Sequence, residues 1–534
     1  MTDLAYASAE SQHVGLDLLR SLADPASEVL VTRSQLQGVA SDPTESLAGS
    51  GSGSGSGSAV VSTQIGVSDV WREQPRSWSD WTQRPPDQHY PRSGVGSHRI
   101  SGNSSRRSDV VQARNSPATQ AVKILTVAAV TVILAATAVA AAALAADVVL
   151  AFYWILNAAA ITVCLIAFLN ERKYSNFPVA RGRTVAIIPA YNEPQDKLDA
   201  CVRSLLAQTV KIDKIVVVDD GSAEPVVPFY DPSVEWIRQS NRGKRGAHAT
   251  ALRRFSADEV QFVLTVDSDS TPYPDALEHM LRAMSRSKVQ AVTGWIYVRN
   301  YAESLVARAA DINIGSSCVL MRASRSMLGA LETTSGALSL YRSAVLYDHL
   351  DEYEVDCGTG DDRWLTMRAL VRGEVVGVNQ ARVETDMPST LHGTFRQRLR
   401  WSRSWWWMLP FAYSRLGWRP LVSPTVGLIQ LLAAPMVLMW AIVSFTLGYR
   451  LQFAHPKTAL IFLVAYIAVK YAVSALYLVG RPNMTRRQKL LTLMVGTPLA
   501  LLLSLLMLMP IRFYALTRLH DNRWHTRQIK INTA

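Results

Sequence analysis

Between Val122 and Leu169 the chain is almost wholly apolar, broken by Asp147. One helical crossing of a bilayer takes about 20 apolar residues, so this stretch predicts two spans. Arg106, Arg107 and Arg114 precede it, Lys123 stands at its start, and Arg172, Lys173, Arg181 and Arg183 follow. Positive charge on both flanks predicts a helical hairpin over residues 116–172 with both ends in the cytoplasm. Such a chain is not one water-soluble domain, and its composition has to be read accordingly. Apolar residues make up 49% of the 534, yet the mean hydropathy is only +0.08, because long apolar runs are averaged with polar ones. The net charge of +12, from 55 basic and 43 acidic residues, would also suit a nucleic-acid binder. The arginine clusters, however, sit beside apolar runs, as at Arg172–Lys173 and Arg486–Arg487. That favours a lipid bilayer as partner and no nucleic acid. Cys164, Cys201, Cys318 and Cys357 have no paired spacing, so neither a disulfide framework nor a zinc site is expected.

Residues 1–115 are rich in Ser, Gly, Pro, Arg and Gln, with a Gly-Ser repeat from Gly49 to Ser58. Such a stretch buries too little surface to fold alone and is expected to be a disordered cytoplasmic tail. Its start lacks a basic segment followed by an apolar core, so no cleavable signal is expected. Trp71, Trp78 and Trp81 are either a docking segment or scattered aromatics. On the far side, Ser402–Pro420 carries several Trp with Arg403, Arg415 and Arg419; residues 401–420 are expected to form an interfacial helix. A transmembrane bundle is expected over 421–511, with spans near 424–446 and 458–480 and a third apolar run at 490–511. Basic residues flank that third run at both ends, from Arg481–Lys489 and from Arg512 onward. Either it is a tight hairpin bent near Pro498, or the charge rule fails there. Lys470 falls mid-span, where it can snorkel or line a polar pore. Residues 512–534 read as a cytoplasmic tail.

Residues 181–400 read as an α/β domain. Thr184–Ile188, Ile215–Asp219 and Phe262–Asp267 are short β-branched runs, each followed by an amphipathic stretch, near Lys197–Gln208, Gly243–Phe255 and Asp275–Ser285. Alternating strands and helices predict a mostly parallel sheet, with ligands beyond the carboxyl ends of its strands. The polar motifs fall at those ends. The first strand leads into Pro189–Glu193, including Tyr191 and Glu193, and the second into Asp219–Ser222. An Asp there can accept the N–H of a nucleotide base; an ordinary strand–loop cap would use the same residues. The third leads into Asp267-Ser268-Asp269. Two carboxylates two apart on extended backbone point the same way and can hold Mg²⁺ or Mn²⁺ against a diphosphate. Asn241–Arg245 opens a helix, where Gly243 permits close backbone approach and Lys244 and Arg245 can meet phosphate. A second acidic pair lies in Gly360-Asp361-Asp362-Arg363. Displacement at an anomeric carbon needs a base for the acceptor hydroxyl, and a carboxylate can serve; a helix N-cap is the plainer use of the same residues. Finally, Gln397 to Trp401 offers an Arg for a diphosphate and an indole for a sugar ring, or an interfacial anchor.

Taken together, these motifs resemble the processive family 2 glycosyltransferases: the hyaluronan, chitin and cellulose synthases. The likeness runs from about Val185 to Trp401, with matching membrane layout on both sides. It implies a GT-A catalytic domain inserted between N- and C-terminal transmembrane helices, inversion at the anomeric carbon, and β linkages made from UDP-sugar donors onto a growing polysaccharide acceptor. By resemblance Asp219 contacts uracil with Tyr191 stacking near it. Asp267 and Asp269 handle the metal and diphosphate. Asp362 is the general base, with Asp361 beside it in the catalytic pair. Gln397, Arg400 and Trp401 bind diphosphate and acceptor, and Glu193, Lys244 and Arg245 complete the substrate-binding set.

Within the family, Asn241–Arg245, Thr265–Asp269, Gly360–Thr366 and Ser335–Arg342 are most similar to the hyaluronan synthases. The ending Asn522–Arg527 looks like their Trp-Gly-Thr-Arg tail, which places Trp524 and Arg527 at the active-site entrance. The chain departs from that pattern at His525, where the family has Gly, at Ala337, where Pro is usual, and at Thr334, near an expected Cys. Ser304–Met327 also lacks the usual aromatics. Chitin-type, glucan-type or glucuronate-containing capsule synthesis is the alternative. A non-processive transferase loading a lipid phosphate is disfavoured by the Gln397–Trp401 motif and the C-terminal bundle. An inactive scaffold or transporter is disfavoured by two intact acidic pairs.

Overall fold

The computed structural model describes residues 117–143, 148–170, 174–358, 360–451 and 456–519. The tail over 1–115 and the ending with Trp524, His525 and Arg527 lie outside the described residues. Two helices open the structure, α1 (Pro117–Ala143) and α2 (Val148–Leu169). They pack against each other, as the hairpin requires, and α1 also packs against α11 (Pro456–Val479).

The domain that follows is built on an eight-stranded sheet. Its strands are β1 (Thr184–Ala190), β2 (Lys214–Asp219), β3 (Val234–Arg238), β4 (Phe262–Thr265), β5 (Thr271–Pro272), β6 (Val289–Val298), β7 (Ser339–Arg342) and β8 (Glu374–Thr385). The order is β3-β2-β1-β4-β7-β6-β8-β5. The helices between them are α3 (Gln195–Leu206), α4 (Gly243–Leu252), α5 (Ala276–Met284), α6 (Leu305–Ser317), α7 (Leu350–Asp356) and α8 (Asp361–Arg372). Apolar side chains alternate across the central strands. Ala186 and Ile188 of β1 join one core cluster with Ile215 and Val217 of β2. Val185 and Ile187 join the other with Val216 and Val218. Both faces of the sheet are covered, which is why these strands read as continuous apolar runs.

Pairing is less uniformly parallel than the pattern of alternating elements implied. β1–β2, β1–β4, β2–β3 and β6–β8 are parallel, whereas β4–β7, β6–β7 and β5–β8 are antiparallel. Side-chain alternation reports that a strand is half or fully buried, not which way it runs. The antiparallel β7 is what completes the site. Pairing Thr265 with Ser339 sets the residues before β7 beside those after β4.

The membrane-proximal helices differ from the expected boundaries. α9 runs unbroken from Leu391 to Arg415, so the Trp-rich segment continues a helix that starts inside the catalytic domain. Thr390 caps it, accepting from Gly393 N at 3.1 Å. α10 (Trp418–Leu451) and α11 follow. The last run, α12 (Arg486–Arg518, 33 residues), forms no hairpin at Pro498; among the described residues it alone is long and apolar enough to cross a membrane. A wide π-type turn at Thr492–Gly496 lies directly ahead of Pro498 and accommodates a ring that brings no N–H. Leu125, Val132, Leu460, Leu463 and Leu506 of α1, α11 and α12 are exposed. The α/β domain is fastened to this bundle through α6 and the end of β6. Tyr477 Oη donates to Asp311 Oδ1 at 2.7 Å, and Arg481 donates to the Val298 carbonyl at 2.6 Å. Gly315 lets the Tyr477 ring lie so near that a Cβ there would sit 2.4 Å from it.

Candidate active site

β1, β2 and β4 end side by side: Ala190 is level with Asp219, and Val266 N donates to the Ile187 carbonyl. Tyr191, half-buried, leads away from β1 through Asn192, whose φ is +50°. Glu193 accepts from Ser268 Oγ at 2.9 Å, joining the first motif to the third. Asp219 is 1% exposed. Its Oδ1 accepts from Ser222 N at 2.9 Å and its Oδ2 from Val226 N at 3.3 Å, and Arg238 pairs with Oδ2. This carboxylate therefore shapes the loop on which it sits. Asp220 does similar work across the strand, accepting from Arg242 N at 2.8 Å and Gln239 Nε2 at 2.6 Å.

Beyond the end of β4, Asp269 Oδ1 accepts from Thr385 Oγ1 at 3.1 Å and Ser270 Oγ at 3.3 Å, so a hydroxyl at the end of β8 and one on its own loop orient it. Asp267 N donates to the Gly336 carbonyl at 3.0 Å. The Asp267 carboxylate meets Lys244 Nζ at 2.6 Å, and the same ammonium reaches Asp361 Oδ2 at 3.1 Å. Burial works against the charge on Lys244, but Asp267 and Asp361 outweigh it and hold the lysine firmly protonated. Three motifs far apart in the sequence thus meet at one ammonium. Arg245 points elsewhere, toward the Cys357 thiol, which burial pushes well up.

Asp361 and Asp362 are the first two residues of α8, and neither caps it: the cap is Gly360, with φ +122° and no side chain to donate or accept. Their surroundings divide them. Burial pushes the Asp361 carboxyl up, but Lys244 and Arg400 outweigh it and hold it below the usual carboxylate range. Asp362 is pushed up to about 6 by burial and by the Asp361 charge. Two neighbouring carboxylates driven apart in this way can take different roles at one pH. Asp362 lines a cavity of about 350 Å³.

That cavity is bounded by Ser335 and Thr334 before β7, by Asp362 and Arg363, by Arg398, Trp401 and Trp405 of α9, and by Asn313 of α6. Leu431 of α10 and Leu508 and Arg512 of α12 also line it. Trp401 is 37% exposed, with the Arg398 guanidinium 4.3 Å from its ring centre. Gln397 lies one helical turn earlier, donating to Met387 Sδ at 3.7 Å. The structure therefore brings Lys244, Asp267, Asp361, Asp362 and Trp401 into one neighbourhood, and Asp269 lies two residues past Asp267 on the same loop.

The glycosyl transferase family 2 pattern matches residues 185–350. The hyaluronan synthase of Streptococcus pyogenes is 31% identical over 369 residues, spanning 65% of this chain and 83% of the relative. The chain is a family 2 glycosyltransferase. An N-acetylglucosaminyltransferase of Mesorhizobium japonicum is 30% identical over 364 residues, spanning 65% of this chain and 82% of that one. A mannosyltransferase from Pyrobaculum calidifontis, solved with GDP-Man and Mn²⁺, superposes with a TM-score of 0.44 at 17% identity, over 73% of this chain and all of that one. The sheet and its helices make up the GT-A-like α/β fold of this glycosyltransferase.

Among the described residues no three acidic, His or Cys side chains cluster to enclose a metal. Asp267 and Asp269 nevertheless fit a hard divalent ion of the kind that takes one or two carboxylates and completes its shell with phosphate oxygens and water. The Asp267 side chain is 37% exposed, and the pair it makes is already with a cation.

Several contributors lie outside the motifs. Gly336 is pressed so close to the ion pair that a Cβ would sit 2.8 Å from Asp267 Oδ2 and 2.9 Å from Lys244 Nζ. Thr334 is buried, sharing hydrogen bonds with Tyr341 Oη at 2.6 Å and Thr366 Oγ1 at 3.0 Å and donating to the Asp362 carbonyl at 3.2 Å. His248 lies one turn after Lys244 on α4, with Nδ1 2.8 Å from Tyr353 Oη. Burial and the Lys244 charge push it down to about 4, so it is neutral beside the pair. Its i+4 spacing from Lys244 was the available signal.

Proposed function

We propose that this glycosyltransferase is a processive, inverting polymerase that builds a β-linked polysaccharide from UDP-sugars and passes it through its own membrane helices, with hyaluronan, from UDP-GlcNAc and UDP-GlcA, as product. The observation that supports this most is the lining of the cavity. It extends from Asp362 and Trp401 to Leu431 and Leu508 of the apolar helices, and five arginines border it: Arg322, Arg325, Arg363, Arg398 and Arg512. Glu332 answers two of them, 3.5 Å from Arg325 and 3.7 Å from Arg363. The remaining positive charge suits a chain that carries carboxylates better than a neutral one. Similarity to a hyaluronan synthase over most of that relative's length points the same way.

In this reading Asp362 takes the proton of the acceptor hydroxyl as its oxygen attacks the anomeric carbon; the bond from that carbon to the diphosphate breaks, and UDP leaves. Asp267 and Asp269 would hold Mg²⁺ or Mn²⁺, whose contribution is to neutralise the diphosphate. Asp219, Tyr191 and Glu193 form the uridine side; Lys244, Gln397 and Arg400 serve the diphosphate, while Arg245, turned toward Cys357, stands behind them; Trp401 stacks on the acceptor, and Trp524 and Arg527 cover the entrance. The setting is the plasma membrane, with the catalytic domain and both termini cytoplasmic. Membranes holding the protein are given UDP-GlcNAc, UDP-GlcA or UDP-glucose singly, then the first two together, with Mg²⁺ or Mn²⁺. The expected result is long polymer from the pair alone, degraded by hyaluronidase. Polymer from UDP-GlcNAc alone would favour the chitin-type reading, to which similarity with an N-acetylglucosaminyltransferase lends weight. Polymer from UDP-glucose alone would mean a glucan, and one sugar added to a lipid a non-processive transferase.

A further inference from the structure

Lys244 stands in an electrostatically awkward place. It occupies the first turn of α4, the end of a helix whose exposed N–H groups repel cations. Two carboxylates from different motifs hold it there, Asp267 at 2.6 Å and Asp361 at 3.1 Å, and Gly336 closes a further side. The two partners are not alike. The Asp361 side chain is 10% exposed and that of Lys244 16%, whereas Asp267 is 37% exposed. The lysine is thus rooted on Asp361, and Asp267 is its outer partner, reachable from solution.

Asp267 is also one of the two carboxylates that fit a divalent ion. A cation arriving alone would have to share that carboxylate with an ammonium already bonded to it, and like charges at such range repel strongly away from bulk water. A cation arriving with a diphosphate brings its own compensating charge, and the freed ammonium can turn to a phosphate oxygen. We infer that Lys244 is the counter-ion of the donor site before nucleotide arrives: it neutralises Asp267 and Asp361, opposes binding of a divalent cation without nucleotide, and yields Asp267 but keeps Asp361 when cation and diphosphate enter together. This rests on the reading of Asp267 and Asp269 as ligands of the donor's metal. In consequence the metal site is completed by the nucleotide.

The test is Mn²⁺ binding to the purified full chain, followed by the electron paramagnetic resonance of free Mn²⁺, with and without UDP. Wild type, Lys244→Met and Lys244→Arg are compared. Without UDP, Lys244→Met should bind Mn²⁺ about tenfold more tightly than wild type, within the usual range of coupling between two sites. Lys244→Arg should resemble wild type, and with UDP present the advantage of the Met variant should shrink. Equal or weaker Mn²⁺ binding by Lys244→Met, while wild type still takes up Mn²⁺ with UDP, overturns the inference and leaves the donor-site reading standing. Wild type that takes up no Mn²⁺ even with UDP overturns both. Should Lys244→Met be too unstable to titrate, its melting temperature decides, because a ligand of the folded state stabilises it in proportion to affinity. Mn²⁺ should raise that temperature more than it raises the wild-type value, and an equal or smaller rise overturns the inference.

Discussion

Replacing Asp362 by Asn should abolish synthesis and at the same time stabilise the protein. The carboxyl sits in a half-buried position with Asp361 beside it, and its pKa is pushed from 3.8 up to about 6. A tenfold change in proton affinity is worth about 1.4 kcal/mol, so ionising this carboxyl at pH 7.5 costs the fold on the order of 3 kcal/mol. The direction follows from linkage. A carboxyl whose folded pKa is raised adds stability that is fully present below the unfolded value near 3.8 and is lost as pH rises through about 6. Asn keeps the shape and can still accept from Arg363 N, which is 2.8 Å from Asp362 Oδ1, but it has no charge to desolvate. The variant should therefore melt several degrees above wild type at pH 7.5, and the gap should close as pH falls toward 4. Polymer synthesis should fall by at least the 10²–10⁴-fold typical of a lost general base, with UDP binding retained. The assays are radiolabelled polymer formation, UDP titration and melting curves in detergent across that pH range. Synthesis within a few-fold of wild type would refute Asp362 as the base. A variant less stable than wild type at pH 7.5 would refute the claim that its charge is held uncompensated.

Two further outcomes follow from the same geometry. The pH profile of kcat/KM for polymer formation should have an acidic limb near pH 6, where Asp362 in the free enzyme takes up a proton; a flat profile down to pH 5 would count against that assignment. Gly336→Ala should cut activity about 10²-fold while leaving the fold intact, because the new methyl lands 2.8 Å from Asp267 Oδ2 and 2.9 Å from Lys244 Nζ and displaces both by a fraction of an ångström. Activity within twofold of wild type would show that the ion pair can give way.

How much of this the sequence disclosed depended on whether a contact was local. Strand ends are local features: apolar runs closing at Asp219 and near Asp267 marked the edge of the sheet, and the structure keeps both there. The pairing of Lys244 with Asp267 and Asp361 was not legible, because it depends on where α4, β4 and α8 fall in space. Nor was Gly336, whose position depends on β7 running antiparallel to β4. β6 and β8, ten and twelve residues long, were missed for another reason: Gly294, Gly377 and polar residues such as Asn379 and Arg382 interrupt their apolar pattern, and a register shift falls between Gly294 and Trp295. The expected division of Asp361 from Asp362 could be named by family likeness, but its cause is the different charges that each one faces.

The same dependence on spatial neighbours brings the acidic pair and the Trp motif together. Gly360 packs so closely on α9 that a Cβ there would sit 2.3 Å from Ser404 Cβ, and Arg363 Nε donates to Ser404 Oγ at 3.3 Å. Trp401, one turn back on α9, looks into the cavity that Asp362 lines. Further along, Trp406 Nε1 donates to the Arg512 carbonyl of α12 at 2.7 Å. The packing of α8 on α9 therefore sets the distance from the carboxylate to the indole face, and α9 ties both to α12. Asp362 cannot shift against Trp401 without moving α9, and α9 cannot move without disturbing α12. In the proposed reading, an acceptor lying in this cavity would meet Asp362, the Trp401 indole and the apolar side chains of α10 and α12 at spacings set by the packing of α8 and α12 on α9.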